Sequence, residues 1–194
     1  MKAQRMKIRE LTTLAMLAAL SIVLVWLIHF PIFPAASYLE YDPADIPILI
    51  GTFAFGPLAG LLITVIAAVI QGLTVSAVSG FYGVIMHVAA TGTFVLVAGN
   101  IYKHKKTRIS AAVGLICGVL AMAAVMAAAN LVITPLFLNM PVSVVKGMIL
   151  PIIIPFNLIK AGINAGMTFV LYKAVSRFIK GEKKTDGIAH ETIR

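Results

Sequence analysis

The sequence predicts an all-α integral membrane protein: a six-helix transmembrane bundle with a short second helix and an external first loop acting as a lid. Three observations predict it. Of the 194 residues, 60% are hydrophobic and 12% charged, with a mean hydropathy of +1.00; an ordinary soluble domain carries about 25% charged residues. Apolar runs of roughly 20 residues recur, the length of a bilayer-spanning helix, whereas a barrel would show short alternating segments. The charges gather between these runs.

Helix 1 is predicted over 11–29, ended by Pro31 and Pro34. Basic residues, an apolar run and then Ala35-Ala36-Ser37 imitate a signal peptide. The run is too long for one and prolines interrupt its approach to the small residues, so 11–30 is predicted to stay as a membrane helix. The loop over 33–45 holds three of the seven acidic residues, Glu40, Asp42 and Asp45. Asp45 is expected to cap a helix whose first turn carries Pro47. Apolar residues 46–55 follow, then a break at Gly56-Pro57, then 58–74. Helix 4 is predicted over 81–102 and helix 5 over 109–134, closed by Pro135. The last helix starts near 148, passes Pro151 and Pro155, and ends near 177. Residues 1–180 are expected to form a single six-helix transmembrane domain and 181–194 a polar tail.

Charge decides whether 46–74 crosses once or twice. Lys2, Arg5, Lys7 and Arg9 place the N-terminus in the cytoplasm. Two crossings put the turn of Lys103, Lys105, Lys106 and Arg108, and the basic cluster from Arg177 to Lys184, on that same side, with the acidic loop outside. Both termini are then cytoplasmic, and the chain is multi-pass in the cell membrane. Helix 2 is short against a core of roughly 30 Å, so it must begin within the loop or be shielded by protein. The net charge of +9 reflects topology and anionic headgroups rather than nucleic acid. Cys117, the single cysteine, is expected to pack in the core.

Lys160 lies deep in an apolar stretch, 149–172, that contains no acid. An intramembrane charge is expensive and points to function, and this one is too central to snorkel. Asn157, Lys160 and Asn164, at i, i+3 and i+7, share one helix face. Asn130, Gln71, His87 and Thr91 fall at the same depth, beneath the acidic loop. This arrangement predicts an externally open pocket for a polar, hydrogen-bonding solute. His87 reads as packing or bridging, and Tyr41 as a residue of the lid that stacks on a flat ligand. Catalysis and metal binding are not expected: intramembrane carboxylates, a nucleophile–histidine pair and ligand-spaced clusters are all missing from the pattern. No phosphate loop is present either. Ala15-x-x-x-Ala19 on helix 1 lets two helices approach closely, and Gly162-x-x-x-Gly166 is expected to serve internal packing.

Two stretches carry a family likeness: Asp42-Pro43-Ala44-Asp45-Ile46-Pro47-Ile48-Leu49-Ile50-Gly51 and Phe55-Gly56-Pro57-Leu58-Ala59-Gly60. With the helix 1 alanines and the Asn157-x-x-Lys160 pair, the chain resembles the substrate-binding (S) components of energy-coupling factor vitamin transporters, most closely the riboflavin branch. The likeness covers about 7–180. It implies a subunit that binds riboflavin tightly from outside, with a membrane coupling protein and two cytoplasmic ATPases as partners. It implies that Ala15 and Ala19 dock on the coupling protein and that the first loop covers the flavin. It also implies that Asn130, Asn157, Asn164 and Lys160, with Gln71 and Tyr41, contact the ligand. Riboflavin would be cargo, with no resident cofactor. The alternatives are the same architecture binding a different vitamin, or a non-transport bundle protein; the polar stripe of the last helix argues against the second.

Overall fold

The computed structural model describes residues 8–180, with side chains to 172. The expected tail over 181–194, and Lys2, Arg5 and Lys7, lie outside the described residues.

Helix α1 spans Ile8–Leu27. Its buried stripe is Leu14, Leu17, Ala18, Ser21 and Val25, the spacing of one helix face. Pro31 and Pro34 then force the chain out of helix. It forms strand β1 (Phe30–Pro31), a 3₁₀ turn (Pro34–Ala36) and strand β2 (Glu40–Tyr41). The strands pair antiparallel, Phe30 opposite Tyr41 and Pro31 opposite Glu40. The loop is therefore a folded hairpin. Its Ala36 and Leu39 pack with Val145, Ile153 and Phe156 of the last helical segments.

Helix α2 (Asp45–Phe55) is buried on every side from Asp45 to Phe53. At about 1.5 Å per residue it reaches only about half of a 30 Å core. Protein shields it, and the continuous run from Ile46 to Phe53 shows no polar face because none meets water. Gly56, at φ 105° and ψ 170°, makes the break in a region that L side chains rarely adopt. Pro57 then starts α3 (Pro57–Leu73) with its φ already set for helix. Helices α4 (Gly80–His104) and α5 (Arg108–Leu138) pack along each other more extensively than any other pair. A side-chain carbon at Gly118 would lie 2.5 Å from the Phe94 ring, so only glycine fits there.

Two boundaries differ from expectation. Pro135 does not close α5, which runs one further turn and ends where Asn139 turns left-handed at φ 51°. A proline removes one helical donor, and in a membrane bundle neighbouring groups absorb that loss. The last span begins at α6 (Val142–Met148), earlier than expected, and continues through a π-helical turn (Ile149–Ile153) into α7 (Ile154–Lys180). The wider π turn accommodates Pro151, and Pro155 sits in the first turn of α7, where a missing N–H is harmless.

Among the described residues, four segments are long and apolar enough to cross a membrane: α1, α4, α5 and the composite Val142–Tyr172. With the shorter α2 and α3 they make the six-helix bundle. The hairpin sits at one end, with the α3–α4 turn; the basic α4–α5 turn lies at the other. Cys117 is half-buried rather than fully packed. Gly162 and Gly166 face outward with nothing within 4 Å, so they do not serve internal packing.

Candidate functional site

A cavity of about 170 Å³ opens beneath the hairpin between α3, α4, α5 and α7. One water needs roughly 10–15 Å³ on this measure, so the space suits a small molecule. Met86, Ala90, Met122, Met126 and Phe156 supply much of its apolar lining. Lys160, Asn157, Asn130 and Gln71 all reach it, from three different helices.

Asn157, Asn130 and Lys160 are each held by their own helix or by the hairpin. Asn157 Nδ2 donates to the Ile153 carbonyl at 2.8 Å, and Asn130 Nδ2 donates to the Met126 carbonyl at 2.8 Å. Thr134 donates to Asn130 Oδ1 at 2.7 Å. These bonds fix the amides in place and leave Asn157 Oδ1 open. Lys160 Nζ donates to Asp42 Oδ2 at 2.6 Å and to the Glu40 carbonyl at 3.2 Å. A lysine carries three donors, so one remains for a ligand. The ion pair is largely enclosed, with side-chain exposures of 13% for Lys160 and 11% for Asp42. Burial pushes the Asp42 carboxyl up. The Lys160 ammonium, His87 and the Ala44 N–H outweigh it and hold the carboxyl below its ordinary value.

Two expected contacts do not reach the cavity. Asn164 Nδ2 donates to the Asp42 carbonyl at 3.1 Å and to Asp45 Oδ2 at 3.0 Å. Tyr41 donates its hydroxyl to Asn164 Oδ1 at 3.2 Å, and its ring packs on Phe30 at 5.4 Å. Asn164 lies one turn past Lys160, beneath the hairpin's end, so its amide serves the loop rather than the cavity. Asp45 also differs from expectation. It does not cap α2 but accepts from Thr91 at 2.7 Å and from Asn164, fully buried. Asp42 takes the local role, its Oδ1 accepting from the Ala44 N–H at 3.0 Å. The expectation that carboxylates stay out of the bundle is corrected, because the loop carries two of them down onto α7 and α4.

Ala15 and Ala19 stand on the exposed face of α1, away from the cavity. Sequence reasoning missed Tyr38, Met122, Met126 and Phe156 as lining residues. A signal existed for two of them: Met122, Met126 and Asn130 recur every four residues, which stacks them on one face of α5. Among the described residues no cluster of three metal-ligating side chains occurs.

Fold and site together define a membrane bundle with a hairpin closing over a cavity for a small polar solute. The family model for the substrate-specific component of ECF transporters matches residues 9–172. The riboflavin transporter RibU of Staphylococcus aureus (strain TCH60) is 32% identical over 183 residues, covering 89% of this chain and 93% of its own length. The riboflavin transporter FmnP of Bacillus subtilis (strain 168) is 32% identical over 174 residues, covering 86% and 90%. A solved S component of a bacterial ECF transporter superposes with a TM-score of 0.77 at 32% identity, covering 89% of this chain and 98% of that one. The chain belongs to the family of substrate-specific components of ECF transporters.

Proposed function

We propose that this chain is the riboflavin-capturing subunit of an ECF-type importer. The observation that carries the reading is a single cavity combining apolar walls with Lys160, Asn157, Asn130 and Gln71 under a closed hairpin. Riboflavin is a flat apolar ring with a polar edge and a chain of hydroxyls, and a mostly apolar pocket with few placed polar groups fits it. The free donor of Lys160 meets a ring carbonyl or nitrogen, and the amides complete the set. Two relatives of similar length are riboflavin transporters, which supports the same ligand here.

The hairpin faces outside, and the basic α4–α5 turn and both termini face the cytoplasm, following the positive-inside rule. Riboflavin enters when the hairpin lifts, and closure restores the Lys160–Asp42 pair over it. Tyr41 and Asn164 act through the hairpin by holding it down. The flavin is cargo, not a resident cofactor. Ala15 and Ala19 offer a small-residue face to a membrane coupling protein, and two cytoplasmic ATPases of that module supply the energy.

Titration of riboflavin against the purified chain in mild detergent tests the reading. Saturable quenching of flavin fluorescence is expected. A preparation that ignores riboflavin but binds another vitamin would keep the architecture and overturn the ligand.

A further inference from the structure

We infer that a groove between α5 and α7, on the outer surface of the bundle, seats an acyl chain of one anionic phospholipid whose phosphate is held by Lys105, Lys106 and Arg108. The groove has a volume of about 360 Å³ and shares none of its described lining residues with the cavity beneath the hairpin. Its lining is apolar throughout. Buried Leu115 and Ala165 form its floor, and the exposed side chains of Ile116, Leu120 and Phe169 border it. Gly162 and Gly166 keep it open, since a side-chain carbon at either would meet nothing within 4 Å. Glycine inside a helix is destabilising relative to alanine, and neither position has the positive φ that would call for it. Packing and backbone conformation therefore account for neither glycine, whereas an occupant of the groove accounts for both.

Charge at one end of the groove identifies the occupant. Arg108, Ala112, Leu115 and Val119 are spaced i, i+4, i+7 and i+11, which stacks them on one face of α5. Arg108 thus heads the stripe that lines the groove, in the first turn of the helix. Helical side chains lean toward the N-terminus, so its guanidinium leans out of the apolar region toward the headgroups. Lys105 and Lys106 precede it in the same exposed turn, and no acidic side chain among the described residues pairs with any of the three. The first-turn N–H groups of α5 add a positive helix end. From Ala112 to Leu120 the groove runs about 12 Å along α5, most of one leaflet's share of a core of roughly 30 Å. An apolar trench of that depth, headed by three cations, complements a fatty chain beneath a phosphate; basic pockets between membrane helices bind such headgroups. Small residues also admit a partner helix. The groove offers a helix no polar side chain to fix its register and would leave the three cations without a counterpart. The α1 alanines proposed to dock the coupling protein stand on a helix that packs against α2 and α3 instead.

The test titrates the purified full chain in mild detergent with dioleoyl phosphatidylglycerol or the matched phosphatidylcholine and counts retained lipid by native mass spectrometry. One phosphatidylglycerol should be retained, about tenfold more tightly than phosphatidylcholine, because basic residues at the surface attract the anionic headgroup. Lys105→Gln, Lys106→Gln and Arg108→Gln combined should abolish that preference; the three side chains are exposed, so the fold does not depend on them. Gly166→Leu fills the trench and should weaken retention of both lipids about fivefold or more, with the lipid-free unfolding midpoint near wild type. Glycerol phosphate, a headgroup without chains, should not compete. Competition by it would leave only phosphate binding at the turn and overturn the seated chain. Equal retention of the two lipids, or variants that hold phosphatidylglycerol as wild type does, would overturn the site. Gly166→Leu that keeps its lipid but blocks uptake by the complete transporter would give the groove to a partner helix, which also overturns it. None of these readouts except uptake involves the transported solute, so the riboflavin reading stands or falls separately.

Discussion

Lys160 and Asp42 hold each other in a largely enclosed pair, and the Glu40 carbonyl shares the ammonium. Truncating one partner leaves the other charge buried alone, a loss of about 3–5 kcal/mol for fully buried pairs. Lys160→Ala removes a charged hydrogen bond to the ligand as well, so riboflavin affinity should fall roughly tenfold to a hundredfold. Unchanged affinity in a fluorescence titration would exclude Lys160 from the site. The pair also sets a pH dependence. Asp42 is held below its ordinary value of 3.8, so its contribution to closure is fully present above that value. It is lost as pH falls through the depressed folded value. Riboflavin retention should therefore be level from about pH 5 to 8 and decline below about 4. Asp42→Asn should bind more weakly and lack the decline assigned to this group. A wild-type midpoint near pH 6 would point to a different titrating residue.

Helix α2 and the α4–α5 contact show what elements contribute beyond side chains. A short helix buried all round has no polar face to orient it, so its position depends on Gly56 turning the chain and on neighbours closing over it. At the α4–α5 crossing the Phe94 ring occupies the space that a side chain at Gly118 would need. Gly118→Val should lower the thermal unfolding midpoint in detergent, since overpacking costs about 1–3 kcal/mol. Gly162→Ala and Gly166→Ala, which meet open space, should leave that midpoint nearly unchanged. Equal effects at all three positions would contradict the packing described. Pro135 and the π turn illustrate the converse: local breakers that tertiary context absorbs without ending the span.

At the scale of the molecule, the cavity and the α1 face proposed to dock the coupling protein lie apart. The cavity lies at the hairpin end among α3, α4, α5 and α7, while Ala15 and Ala19 stand exposed on α1. Ala15→Trp should therefore spare riboflavin binding by the purified chain and block uptake in cells carrying the complete transporter. Uptake at the wild-type rate would remove this face of α1 from the docking surface. The polar belt of Asp42, Asp45, Thr91, Asn164 and Lys160 ties the hairpin to α4 and α7, so lifting it disturbs both cavity walls together. Under the proposed function, the hairpin is the element whose motion admits the ligand.

The sequence by itself determined the membrane class, the helix count, the Gly56-Pro57 break and the depth at which polar residues gather. These are local properties, since hydropathy, period and backbone restrictions act within a span of about 20 residues. Four of six expected contacts line the cavity for the same reason: each sits at the right depth on its own helix. Only the tertiary structure decided which polar groups face the cavity and which hold the hairpin. Asp42 and Lys160 stand 118 positions apart, and Tyr41 and Asn164 stand 123 apart. No periodicity links such pairs. The hairpin's fold brings them together, because a buried carboxylate must find a cation or donors, and those available lay on α4 and α7.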